Sequence, residues 1–83
     1  MRPALPADAT WPPAPADQIK AVQTLLFELN LLRDTPDGVI GPMTRTAIRD
    51  YEKTAGLKIT GEPSKVLFDS MMERRRSGAA GKP

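Results

Sequence analysis

Neither histidine nor cysteine occurs in this chain of 83 residues. Their absence excludes a disulfide framework, thiolate or imidazole metal sites, a cysteine nucleophile and every Ser-His or Cys-His catalytic pair. Aromatic side chains number four, one Trp, one Tyr and two Phe, and the length leaves no room for a second core. No apolar run approaches the roughly 20 residues that a membrane-spanning helix needs. The chain passes from Met1-Arg2 into Pro3, Pro6 and Asp8, with none of the roughly seven to fifteen apolar residues that form the core of an export signal. The expectation is one small soluble domain, either cytoplasmic or cut from a longer exported protein; the lack of cysteine fits both.

The net charge of +2 is unevenly distributed. From Asp17 to Met72 seven basic residues (Lys20, Arg33, Arg45, Arg49, Lys53, Lys58, Lys65) face eight acidic ones (Asp17, Glu28, Asp34, Asp37, Asp50, Glu52, Glu62, Asp69). The positive excess therefore lies in the tails, with Arg2, Arg74, Arg75, Arg76 and Lys82, and a nucleic-acid-binding face has little to draw on. A groove-reading helix after Gly61 would offer only Lys65 in its first turn, beside Glu62.

Catalysis has equally little support. Ser64, Ser70 and Ser77 have no histidine to activate them, and Lys65 neighbours Ser64 only in sequence. Asp34 and Asp37 flank the turn RDTPDG, where Asp accepts local backbone bonds, Pro fixes φ and Gly supplies positive φ. They provide too few oxygen ligands for calcium and lack a closing bidentate Glu. The expectation is a protein with no enzyme activity, no metal and no cofactor.

Residues 1–18 contain five Pro and five Ala, which reads as a stiff linker with little to bury. Trp11 within it is either a docking anchor for a partner or folds back over an apolar patch. Residues 19–72 form the expected domain, and residues 73–83 a basic tail whose three arginines also suit the C-terminal end of a helix.

Within the domain, Ile19, Val22, Leu25, Leu26, Leu29 and Leu32 form one apolar stripe at helical period, with Asp17 placed to cap its start. Phe27 and Leu31 would then stand on the opposite side as a candidate contact surface for another protein, unless the helix ends near Asn30 and turns Leu31 inward. Next comes a short repeat, G-x-x-[ST]-x-x-apolar-apolar-x-x-apolar, at an offset of about twenty residues. Its first copy is Gly41, Thr44, Ala47, Ile48 and Tyr51, and its second Gly61, Ser64, Leu67, Phe68 and Met71. Each copy starts a helix, with Gly41 and Gly61 at the N-cap, Pro42 at N1 and Pro63 at N2. Gly56 ends the middle helix in the left-handed region, and Leu57 and Ile59 continue inward. The fold class expected is all-α, a compact three-helix bundle with short Gly/Pro loops.

Three strings in order carry a resemblance: VQxLLxxLN from Val22, DGVIGxxTxxAIxxY from Asp37, and AGLxIxG from Ala55. Together they resemble the bacterial peptidoglycan-binding domain family. Asn30 stands where that family usually has Gly, Tyr51-Glu52 where it has Phe-Gln, and Ser64 where it has a second Thr. The same module resembles the helical part of metalloprotease prodomains, but no cysteine follows here to act as their switch. The resemblance implies a non-catalytic three-helix module in the periplasm or cell envelope that anchors a linked hydrolase or envelope protein on the wall. Its partner would be peptidoglycan, through stem peptide or glycan, with neither nucleic acid nor membrane insertion involved.

The motif glycines and aliphatics are structural, so ligand contacts are sought in exposed chemistry. Stem peptides offer carboxylates and amides, which suit guanidinium groups near a Gly-containing loop. Arg45 and Arg49, spaced i, i+4, are the first candidates, with Asp37, Gly38 and Tyr51 as neighbours. Tyr51 also fits the core, with its hydroxyl at the rim. The competing reading is a protein-interaction module on the same fold, using Phe27, Leu31 and Trp11.

Overall fold

The computed structural model describes residues 5–6 and 8–77. It contains three helices, α1 (Pro15–Glu28), α2 (Pro42–Ala55) and α3 (Lys65–Arg76). The expected all-α bundle is observed, with α1 packed against both other helices.

Helix α1 starts earlier than the stripe suggested. Its N-cap is Ala14, which offers no side-chain bond, and Pro15 stands at N1, where a missing N–H costs nothing. Asp17 is therefore a first-turn residue and not the cap, favourable there through the helix dipole. At the other end Asn30 takes φ 63°. The Leu31 N–H reaches back to the Leu26 carbonyl at 2.8 Å and that of Asn30 to Phe27 at 3.1 Å, closing a Schellman motif. Chain reversal at Asn30 sends Leu32 into the core (4% exposed) and leaves Leu31 outside (44%). The alternative of an inward Leu31 is thus corrected by one residue.

Helix α2 repeats this grammar. Gly41 is its N-cap, Pro42 its N1 residue, and Gly56 its left-handed end at φ 75°. The Leu57 N–H closes onto the Glu52 carbonyl at 2.8 Å. Helix α3 departs from expectation: its N-cap is Ser64, whose Oγ accepts the Leu67 N–H at 3.1 Å, and not Gly61. Ile59, expected to point inward, is 55% exposed, because residues 57–60 carry the chain over the surface with only Leu57 packed against the core.

The core joins Val22, Leu25, Leu26, Leu29 and Leu32 to Ala47, Ile48 and Tyr51 and to Leu67, Phe68, Met71 and Met72. Ile19, at the edge of the stripe, is only half-buried.

The Pro/Ala-rich start is not a free linker over the part described. Leu5, Ala9 and Trp11 pack against the core, and the Trp11 and Phe68 rings lie 5.4 Å apart at 56°. The expected break at residue 18 falls inside α1. Residues 5–6 are clamped at the far end of the bundle: the Leu5 N–H donates to Glu28 Oε2 at 3.0 Å, while Arg75 donates to the Leu5 and Pro6 carbonyls at 2.7 and 2.9 Å. Arg75 also pairs with Glu28 at 3.0 Å, both side chains 18% exposed. Of the expected basic tail, residues 73–76 are the last turn of α3; Arg2, Lys82 and residues 78–83 lie outside the described residues. Trp11→Ala should cost about 1 to 3 kcal/mol by uncovering Phe68, given that Trp11 is only half-buried. Thermal denaturation followed by circular dichroism reads it; a free linker would give no change.

Candidate functional site

Two turns organise the surface between the helices, and both are built on a buried polar side chain inside an apolar stripe. Gln23 is 3% exposed. Its Oε1 accepts the N–H groups of Asp37 and Gly38 at 3.0 and 2.9 Å. Its Nε2 donates to Asp37 Oδ1, the Val39 carbonyl and Thr44 Oγ1 at 3.2, 3.0 and 3.2 Å. One amide thereby ties α1 to the loop and to the first turn of α2.

Glu52, 2% exposed, does the same for the following connection. Its Oε1 accepts the N–H groups of Thr60 and Gly61 at 2.8 and 2.9 Å, and its Oε2 accepts the Thr60 hydroxyl at 2.8 Å. The correspondence extends to the turns themselves. Asp37 Oδ1 accepts the Val39 N–H at 2.9 Å, two residues on, as Thr60 Oγ1 accepts that of Glu62 at 3.1 Å. Gly38 and Gly61 both take positive φ, 79° and 73°, which a side chain would strain.

The true internal repeat therefore pairs Asp37-Gly38 with Thr60-Gly61 and the N-cap Gly41 with the N-cap Ser64, an offset of 23 and not about 20. Gly41, at φ −139°, is ordinary extended backbone. Among the described residues no buried side-chain nitrogen or oxygen lacks a partner, so both devices are closed.

Asp37 is held below its ordinary carboxylate value, first by the Val39 N–H and then by the Gln23 amide. A lowered folded value means stability that is complete above the unfolded value near 3.8 and lost as pH falls through the folded one. The melting-temperature gap between wild type and Asp37→Asn should accordingly hold from pH 7 to about 5 and shrink below about pH 4. A gap independent of pH would show that the charge on Asp37 does not matter.

The candidate ligand residues do not meet in one cleft. Arg45 is ion-paired with Glu62, the partner supplied by the second turn. Arg49 lies across Gly61, where an added Cβ would meet its Nε at 3.0 Å. Tyr51 is 2% exposed, its hydroxyl 2.6 Å from Ser70 Oγ and its ring under the Arg74 guanidinium at 5.7 Å. Asp37 and Gly38 are engaged by Gln23. The protein-interaction candidates are also separated: Trp11 is on Phe68, Phe27 lines a depression with Asn30 and Arg33, and Leu31 lines another.

That second depression is an open groove of about 400 Å³ where the chain after α1 meets α2. Leu31, Pro42 and Met43 wall it, Ala47 lies along it, and Arg33 and Asp50 border it. Across Met43 a more polar hollow of about 230 Å³ is lined by Asp34, Asp37, Gly41 and Thr44. The position of Arg33 and Asp50 at this groove was not visible in the sequence, because both read as ordinary solvated charges. Gln23 and Glu52 did leave a signal. Each sits at i+4 in a stripe, Ile19-Val22-Gln23-Leu26 and Ile48-Tyr51-Glu52-Ala55, where a polar residue points into the core.

The unit is thus a small bundle of three helices joined by pinned turns, with a shallow surface groove. The model of one family, described as a putative peptidoglycan binding domain, matches residues 15–71, from the first residue of α1 into α3. The chain belongs to that family. No curated protein and no solved structure matches it. Among the described residues no helix is long and apolar enough to cross a membrane.

Proposed function

We propose that this domain is a non-catalytic wall-binding module that holds a linked hydrolase or envelope protein on peptidoglycan in the periplasm or cell envelope. The observation that carries the reading is the family match over residues 15–71, which includes all of α1 and α2 and both pinned turns. The open grooves beside Met43 suit a shallow contact of modest affinity, which becomes effective when a linked domain raises the local concentration. Mechanistically, Gln23 and Glu52 fix the loop backbones and the helix starts, so that the surface is formed before the ligand arrives and little ordering accompanies binding.

The test is sedimentation with purified insoluble peptidoglycan over a salt titration. The folded domain is expected to co-sediment and to remain bound at about 150 mM salt, where exposed charge contacts beyond roughly 8 Å are screened. Failure of a well-folded domain to co-sediment sinks the proposal. An Arg45→Ala/Arg49→Ala variant tests the two guanidinium groups of α2 in the same assay: retention lost in the folded variant, but surviving moderate salt in the wild type, assigns them to the contact, and unchanged retention removes them from it.

A further inference from the structure

We infer that the groove bordered by Arg33 and Asp50 receives the peptide part of the wall, its stem peptide, and not the glycan strand; this rests on the wall-binding reading above. Three observations point the same way.

The first is the lack of a stacking platform. Sugar rings present flat C–H faces that pack on exposed aromatic rings. Here Tyr51 and Phe68 are 2% exposed, Trp11 is packed on Phe68, and Phe27 lines a different depression. No aromatic side chain lines this groove.

The second is the groove's own surface. Leu31 and Met43 are 44% and 55% exposed, and with Pro42 and Ala47 they make aliphatic walls suited to the methyl groups of alanyl residues. The volume of about 400 Å³ lies toward the low end of ligand pockets and fits a short segment.

The third is charge. Arg33 and Asp50 are the charged side chains lining this groove, and among the described residues neither is in an ion pair with the chain itself. A stem peptide carries carboxylates and, on its diamino acid, an ammonium group. The Arg33 guanidinium supplies a planar fork for the carboxylate, and Asp50 an acceptor for the ammonium. An N-acetylated glycan offers no cation to Asp50.

The experiment compares intact wall with glycan strands from which an amidase has removed the peptides, and uses the free tetrapeptide of alanine, glutamate, diaminopimelate and alanine as competitor. Wild-type domain should sediment with intact wall, lose most retention on stripped glycan, and be displaced by the tetrapeptide. Arg33→Ala and Asp50→Ala, both at exposed positions where folding is undisturbed, should each weaken binding about five- to tenfold, with Lys65→Ala on α3, outside the groove, unchanged. Acetylating the diaminopimelate side-chain amine of the tetrapeptide, with its N-terminal amine blocked in both samples, should abolish the effect of Asp50→Ala but not that of Arg33→Ala. Equal retention on stripped glycan overturns the inference and leaves wall binding intact. So does peptide competition that neither Arg33→Ala nor Asp50→Ala alters. No retention on intact wall removes both.

Discussion

Gln23→Glu should leave the domain largely unfolded at 25 °C, while Glu52→Gln, the reverse exchange at the side chain that pins the second turn, should leave it folded. The asymmetry follows from what each head group faces. Gln23 faces acceptors: Asp37 Oδ1, the Val39 carbonyl and Thr44 Oγ1 lie 3.0–3.2 Å from its Nε2. A carboxylate there can accept from the Asp37 and Gly38 N–H groups and from a rotated Thr44 hydroxyl, but it opposes the Val39 carbonyl and the Asp37 carboxylate with no proton between them. Unsatisfied buried acceptors cost roughly 1 to 3 kcal/mol each before any repulsion between like charges. A unit of this size has only roughly 4 to 8 kcal/mol of stability to lose.

Glu52, in contrast, faces donors: two N–H groups and the Thr60 hydroxyl. An amide keeps the Oε1 bonds, and its NH₂ can donate to Thr60 Oγ1 once that hydroxyl turns toward the Glu62 carbonyl, 3.4 Å away. The expected cost is about 1 kcal/mol. Urea denaturation of both variants measures the difference. Adding Asp37→Thr to Gln23→Glu copies the second device into the first and should recover part of the loss; the Val39 carbonyl prevents full recovery. Equal stabilities for the two single variants would show that the pinned turns do not depend on the match of donors to acceptors.

This matching also explains what the sequence concealed. The helices, the Gly56 stop, the left-handed Asn30 and nearly all of the core were legible, because each rests on local chemistry or on a 3.6-residue period. The register of the repeat was not. Gly41 and Gly61 are alike as letters, yet one is an extended N-cap and the other holds positive φ in a turn. The glycine that matches Gly61 is Gly38, and what shows it is the N–H bond each makes to a buried side chain, Gly38 to Gln23 and Gly61 to Glu52, 15 and 9 residues away. Ser64 and Gly41 cap their helices by different means and so do not look like partners in sequence.

The site was less legible still, for a related reason. Arg45 and Arg49 stand out on a helix face by spacing, but whether a cation is available depends on who neutralises it. Glu62 reaches Arg45 only because the second turn, pinned by Glu52, brings residues 60–62 beside α2. Arg33 reaches the edge of the groove because the chain reverses at Asn30, a placement that no helical period announces. The Pro/Ala-rich start was misread because composition gives no hint that Glu28 and Arg75, 47 residues apart, close over residues 5–6.

Ile48→Ala should lower the melting temperature by roughly 10 to 30 °C, whereas Ile59→Ala should shift it by no more than about 3 °C. Ile48 lies in the first copy of the repeat and Ile59 just before the second, and both read as inward-facing. Ile48 is 0% exposed, on the α2 face that meets the other two helices' core residues. Truncating it removes roughly three buried carbons and leaves a void that close packing around Leu25, Leu26, Phe68 and Met71 cannot fill, a cost of about 2 to 5 kcal/mol. Against a total of roughly 4 to 8 kcal/mol, that loss brings the domain to the edge of unfolding. Ile59 is 55% exposed in the surface crossing before Thr60, where truncation removes little contact and opens no cavity. The two variants have the same change in composition, so denatured-state effects largely cancel between them, and the higher helix propensity of Ala favours the Ile48 variant slightly, so that burial alone accounts for its larger loss. Matching melting curves for the two would refute the assignment of Ile48 to the core and with it the packing of α2 that places Met43, Ala47 and Asp50 along the groove.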